Sequence, residues 1–205
     1  MSTFFQISKM IVAGGLLIGA TACAPVSTTI DSTVVPAPAE MVDPVYVAPS
    51  FSVSRVNVSV PETLVVSEEN SIKPIADIVW HGEAAGDRYA QVKSMMSTAF
   101  GKATAGMRGT KRVVIDVEVT RFHAVTPKTR YNYGGEQEIE FVMTVRDANS
   151  GVVIQPARLI DATHKGLCCG PAKEADAEDP TYQRTRLVDY VAGVVVAELN
   201  KPYAQ

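Results

Sequence analysis

The sequence predicts an α+β class, a single domain in which a mostly antiparallel sheet carries two helices on one face, set behind a disordered N-terminal tether. Three observations predict it. Two stretches, 112–120 and 138–147, alternate apolar and polar residues with the period of a half-buried strand. Two others, from Asp87 to Gly106 and from Asp179 to Leu199, repeat apolar residues every three or four positions, the period of an amphipathic helix. Residues 24–50 show neither period; they hold Pro25, Pro36, Pro38, Pro44 and Pro49 among Ser, Thr, Ala and Val and cannot pack a core.

The elements follow in chain order. Residues 55–60, RVNVSV, set Val56, Val58 and Val60 against Asn57 and Ser59 until Pro61 stops the pattern, a first strand suited to a sheet edge. TLVVS at 63–67 and ADIVW at 76–80 read as two further short strands, the second ending at Gly82. Asp87 is an N-cap for a helix whose apolar stripe is Val92, Met95, Met96, Ala99, Phe100 and Ala103, with Gly106 as its stop. In RVVIDVEVT, Val113, Ile115, Val117 and Val119 share one face and Asp116, Glu118 and Thr120 the other. EIEFVMTVRD repeats the device with Ile139, Phe141, Met143 and Val145 inward, the signature of a sheet with one wet side. DANSG at 147–151 supplies a turn, and VVI with ARLIDAT continues as a strand broken near Pro156. Asp179-Pro180 opens a closing helix, with Leu187, Val191, Val194, Val195 and Leu199 as its stripe.

The N-terminus carries an address. Met10 to Ile18, about nine residues, is apolar or glycine, follows Lys9, and no acid precedes Asp31. A bilayer span needs about 20 such residues, whereas a secretory h-region needs about 7 to 15 behind a positive n-region. Residues 1–22 therefore read as a signal peptide. Ala20 and Ala22 before Cys23 fit both simple A-x-A cleavage and the small-small-Cys pattern of a bacterial lipobox, in which Ala20 stands where an aliphatic residue is usual. Under the first reading the protein is secreted to the periplasm without lipid; under the second Cys23 is acylated, residues 23–50 are a lipid-anchored linker, and residues 51–205 are the domain. At about 3.1 Å per residue in polyproline II, such a linker reaches up to roughly 80 Å. Ala24 is not the acidic residue that retains enteric lipoproteins in the inner membrane, so by analogy the outer membrane is expected, with the domain facing the periplasm.

The 205-residue chain has a formal charge of -3, and losing Lys9 with the signal segment makes it one unit more acidic. That argues against nucleic acid as a partner, whose binding rests on clustered cations. The membrane, through the lipid, and an envelope protein are the partners expected.

A resemblance rests on ADIVWHGEAAGDRYAQV at 76–92, RFHAVTPKTRY at 121–131 and VRDANSG at 145–151. With these the chain resembles an uncharacterised family of small alphaproteobacterial lipoproteins, over most of residues 50–200. The resemblance implies lipoprotein character and carries no catalytic residue across. In element order the chain is also similar to periplasmic lipoproteins that assist envelope transporters or assembly machines.

Candidate chemistry is sparse. In HKGLCCG, His164, Cys168 and Cys169 share a glycine-bounded loop, but zinc usually takes four ligands and adjacent cysteines rarely face one ion, so no metal is expected. In an oxidising compartment Cys168 and Cys169 form a vicinal disulfide, stay free, or pair between chains. The connection RFHAVTPKTRYNYGGEQ gathers Arg121, His123, Lys128, Arg130, Tyr131 and Tyr133, a candidate patch for an anionic glycan, a lipid headgroup or a partner protein; the plainer reading is a hairpin loop with its tyrosines packed down. His81 beside Trp80 reads as a strand-end residue. With no G-x-S-x-G, P-loop, Cys-His or zinc signature, no enzymatic activity and no cofactor are expected. The function expected is an accessory or binding module of the envelope, with a structural or assembly role as the alternative; an open cluster of Arg130, Tyr131 and Tyr133 would favour ligand capture, a flat apolar patch assembly.

Overall fold

The computed structural model describes residues 44–132, 135–165 and 180–204. Cys23, the signal segment, Tyr133, Cys168, Cys169 and Asp179 lie outside the described residues, as does most of the tether.

Period-two alternation produces the centre of the sheet. β1 is Tyr46–Val47, β2 Phe51–Ser59, β3 Ile78–Val79, and α1 Arg88–Thr104. β4 is Lys111–His123, α2 Pro127–Asn132, β5 Glu136–Asp147 and β6 Val153–Asp161. β7 is His164–Lys165, α3 Pro180–Leu199 and β8 Tyr203–Ala204. The long strands lie in the order β2-β4-β5-β6, with β3 on β4 and β7 on β5. β4 pairs antiparallel with β5, and β5 with β6, but β2 runs parallel to β4, so the sheet is mixed. A parallel neighbour needs a crossover, and α1 supplies it between β2 and β4.

The predicted faces are the ones buried. Val113, Ile115, Val117 and Val119 meet Ile139, Phe141, Met143 and Val145 beneath Met96, Phe100, Leu187, Val191 and Val195 of the two helices. Phe100 and Phe141 meet edge-on at 5.5 Å between centroids, a geometry that adds about 1 kcal/mol to their burial. Asp87 caps α1 by accepting from the N–H of Ala90 at 3.0 Å. Among the described residues the opposite face of the sheet carries no helix and shows Asn57, Asp116, Glu118 and Thr144.

Four expectations are corrected. TLVVS is not a strand: Leu64 N–H closes a turn onto Pro61 O, and only Val66 bridges to Ile78. The strand at Pro156 is not broken; β6 is the outermost of the described strands, where a missing N–H costs no ladder bond among them, and register irregularities absorb the proline. The connection at 121–137 is not one loop, because β4 runs through His123, α2 follows, and β5 begins at Glu136. Tyr46 and Val47, placed in the linker, pair with Ala204 and Tyr203, and Tyr203 stacks on Phe51 at 5.6 Å, so the ordered domain starts before residue 51.

Candidate functional site

Three of the six candidate residues, Arg121, His123 and Lys128, bond to a strap between β2 and β3. Pro61, Pro74 and the run Glu68-Glu69-Asn70-Ser71 break strand pairing between β2 and β3, so the backbone of this stretch needs other partners. The end of the sheet and α2 provide them with side chains. Thr126 Oγ1 donates to Ser71 O at 2.6 Å, and Thr129 Oγ1 donates to Ile72 O. His123 Nε2 donates to Pro74 O at 3.0 Å; a carbonyl only accepts, which fixes the proton on that nitrogen. Arg121 Nη1 reaches Ala76 O at 3.3 Å, and Lys128 N–H donates to Asn70 Oδ1 at 2.9 Å.

Glu138 ties the strap to the sheet. One oxygen takes Lys73 of the strap, and the other takes Arg121 Nε at 2.8 Å. Burial raises its pKa, but the bonds and charges of Lys73 and Arg121 outweigh this and hold the carboxyl below its ordinary value. A second tie uses Glu68, which receives Arg88 Nε at 2.6 Å and Nη2 at 2.8 Å. Arg88 is buried in the first turn of α1, and its bonds hold Glu68 below the ordinary carboxylate value. An arginine at a helix N-terminus opposes the helix dipole, and that mismatch was the signal in the sequence for a partner elsewhere. Sequence reasoning missed both glutamates and Arg88.

Of the six candidate residues, Arg121 and His123 lie under the strap, and Lys128 is exposed on α2. Arg130, a candidate for the patch, is 8 % exposed and donates from Nη2 to Gln183 of α3. The backbone of Tyr131 lies in α2; its side chain and Tyr133 fall outside what is described. His164 stacks on Tyr190 at 4.2 Å, and burial lowers its pKa. His81 is also lowered, by burial against the opposing pull of Glu68. Among the described residues no group of three or more His, Cys, Asp or Glu is placed to hold a metal.

The outer side of the strap is apolar. Val65 and Ile72 are more than half exposed, and Ile75 is 100 % exposed. A groove of about 400 Å³ runs past Val65, Pro74, Ile75 and Arg121, and a second of about 210 Å³ lies between Ile72, His123, Val125 and Glu136.

Fold and site together define a class: a two-layer α+β domain whose sheet end holds a side-chain-clamped apolar strap. The chain belongs to a family of unknown function (DUF6778), whose model matches residues 51–205. Among solved structures it is similar to an uncharacterized protein at 13 % identity and a TM-score of 0.39, over 72 % of this chain and 90 % of that one. A candidate lipoprotein of Caulobacter crescentus matches at 13 % identity and 0.33, over 53 % and 80 %. A Xanthomonas campestris protein of family DUF330 matches at 15 % and 0.35, over 78 % and 93 %. No curated protein matches the chain.

Proposed function

We propose that this chain is a lipid-anchored protein of the cell envelope, held in the outer membrane through an acylated Cys23 and facing the periplasm, where it serves without catalysis as an accessory or assembly module for another envelope protein. The observation that carries this reading is the arrangement of the N-terminus: a positively led apolar run too short to span a bilayer, small residues up to Cys23, and a proline-rich stretch behind it. Several acyl chains on one cysteine give a stable anchor, because each buried methylene adds about 0.8 kcal/mol and one chain alone binds marginally. No helix among the described residues is long and apolar enough to cross a membrane.

The exposed residues Val65, Ile72 and Ile75, with Arg130 turned inward, favour assembly with a protein over capture of a small ligand. Metabolic labelling with a clickable fatty acid tests the anchor. The expected result is label on the wild type and none on Cys23→Ser, with the wild type in the outer-membrane fraction. An unlabelled wild-type protein would leave only the secreted form, and label confined to the inner membrane would refute the location.

A further inference from the structure

Three arginines collect at the end of the sheet where the chain enters from Cys23. The described domain opens at β1 on β8, and β2 then pairs Phe51 with Lys111 and Ser52 with Arg112. Arg55 lies opposite Val114, two positions along β4. Arg108 sits just before β4, beside Gly109, whose N–H donates to Phe51 O at 2.8 Å. All three are exposed. Because Val113 and Ile115 point into the core, Arg112 and the position of Val114 share the opposite face of the sheet, and Arg55 joins them there.

Among the described residues no carboxylate pairs with these three charges. The side chains of Arg55 and Arg112 make no ion pair or hydrogen bond among the described residues, and Arg108 donates to the carbonyls of Ala105 at 2.8 Å, at the C-terminal end of α1, and Met107 at 3.2 Å. The neighbouring acids are already engaged: Asp147 with Lys111, and Asp116 with Asn57 and Arg146. In a chain of net charge -3, three guanidiniums near one end of the sheet with no carboxylate partner among the described residues are a local excess of positive charge. Arg55 and Arg112, neighbours on one face, repel each other, so their charges bring no benefit to the isolated domain.

We propose that this end of the domain docks on the anionic headgroup surface of the membrane that holds the anchor, each guanidinium meeting lipid phosphate. The proposal rests on the acylated-tether reading, which brings this end to a membrane. The occupant follows from charge and from connectivity: guanidinium forks match phosphate oxygens, and the tether joins the domain at this end. The lipid supplies attachment and the arginines supply orientation, holding the clamped strap at the far end of β4 away from the bilayer.

The test uses the mature chain with Cys23→Ser, which carries no acyl group, sedimented with vesicles of phosphatidylcholine alone or mixed with phosphatidylglycerol. Binding is expected only to the mixed vesicles and is lost at high salt. The triple variant Arg55→Gln/Arg108→Gln/Arg112→Gln should weaken it roughly hundredfold, about fivefold per charge. Should the triple variant fail to fold, Arg55→Gln/Arg112→Gln alters only side chains that bond nothing among the described residues and should still weaken binding more than tenfold. Equal binding to both vesicles, no binding to either, or full binding by the folded variants would overturn the proposal. So would loss of binding in Ile75→Ser with the arginines intact, which would assign the contact to the strap. Intact mass of the wild-type protein reports acylation separately, so an absent lipid would defeat the anchor reading while leaving the arginine contact to be judged on the vesicles.

Discussion

Thr126→Val removes one oxygen at the point where the clamp is tightest and changes almost no volume. Thr126 is 1 % exposed, and its Oγ1 has three partners. It donates to Ser71 O at 2.6 Å, accepts the N–H of Thr129 at 3.2 Å as the cap of α2, and lies 3.1 Å from Thr129 Oγ1. Losing the cap costs about 1 kcal/mol. Leaving Ser71 O without its donor costs about 1 kcal/mol more, toward the lower end for a carbonyl that regains some water. Urea denaturation should therefore show a loss of about 2 kcal/mol. The two halves separate by hydrogen exchange: the strap share should speed exchange of amides in residues 70–77 about fivefold, while the central amides of β4 and β5 keep their protection relative to global stability. Thr126→Ser keeps the hydroxyl and should keep slow strap exchange even though a buried methyl is lost. If Thr126→Val costs less than about 0.5 kcal/mol, within the range of an ordinary surface change, and strap exchange is unchanged, side chains do not hold the strap and the reasoning fails.

Two further predictions concern the fold. The Glu138 carboxyl is held below its ordinary value of 4.5, so the folded chain binds fewer protons than the unfolded one there; its contribution is fully present above that value and fades as pH falls through the lowered one. Glu138→Gln should flatten the acid limb of stability measured from neutral pH down to about 3, and an unchanged limb would show that the pairing with Lys73 and Arg121 is not felt. Two glycines should respond with opposite sign: a Cβ at Gly109 would stand 2.0 Å from the Ser50 backbone, whereas at Gly101, inside α1, it meets nothing within 4 Å. Gly109→Ala should destabilise by about 2 kcal/mol or more and Gly101→Ala stabilise by about 1 kcal/mol, both read from denaturant midpoints.

What was legible in the sequence was whatever a single element decides for itself. The faces of β4 and β5, the stripe of α1 and its Asp87 cap depend on local periodicity and a local hydrogen bond, and they stand as read. Leu187, Val191, Val195 and Leu199 are buried on α3 as expected, with Val194 at the margin. The candidate site was illegible because its chemistry is relational. Arg121, His123 and Arg130 look like a basic surface loop until Pro74, Glu138 and Gln183 arrive from other parts of the chain and absorb their donors. TLVVS has strand composition, but a strand also needs an edge to pair with, and β3 offers only a single bridge at Val66. The parallel placement of β2 was hidden for the same reason, since alternation specifies a face and leaves strand direction open.

The clamp also explains how one domain can hold two surfaces apart. Every hydrogen bond described for residues 70–76 has a side chain at one end, so this stretch can open at the cost of a few side-chain contacts while the ladder of β4 with β5 stays shut. The exposed Ile72 and Ile75 are thus carried on the least cooperative part of the domain, where reshaping against a partner is cheapest. At the other end, Phe51, Tyr203 and the β1–β8 pair tie the incoming chain directly to the core. β4 runs between these ends for thirteen residues, about 40 Å, which exceeds the screening length of about 8 Å at physiological salt several times over. Charge at the tether end therefore cannot weaken an apolar contact at the strap. Removing the three arginines should leave any strap-mediated association unchanged, and Ile75→Ser should leave vesicle binding unchanged.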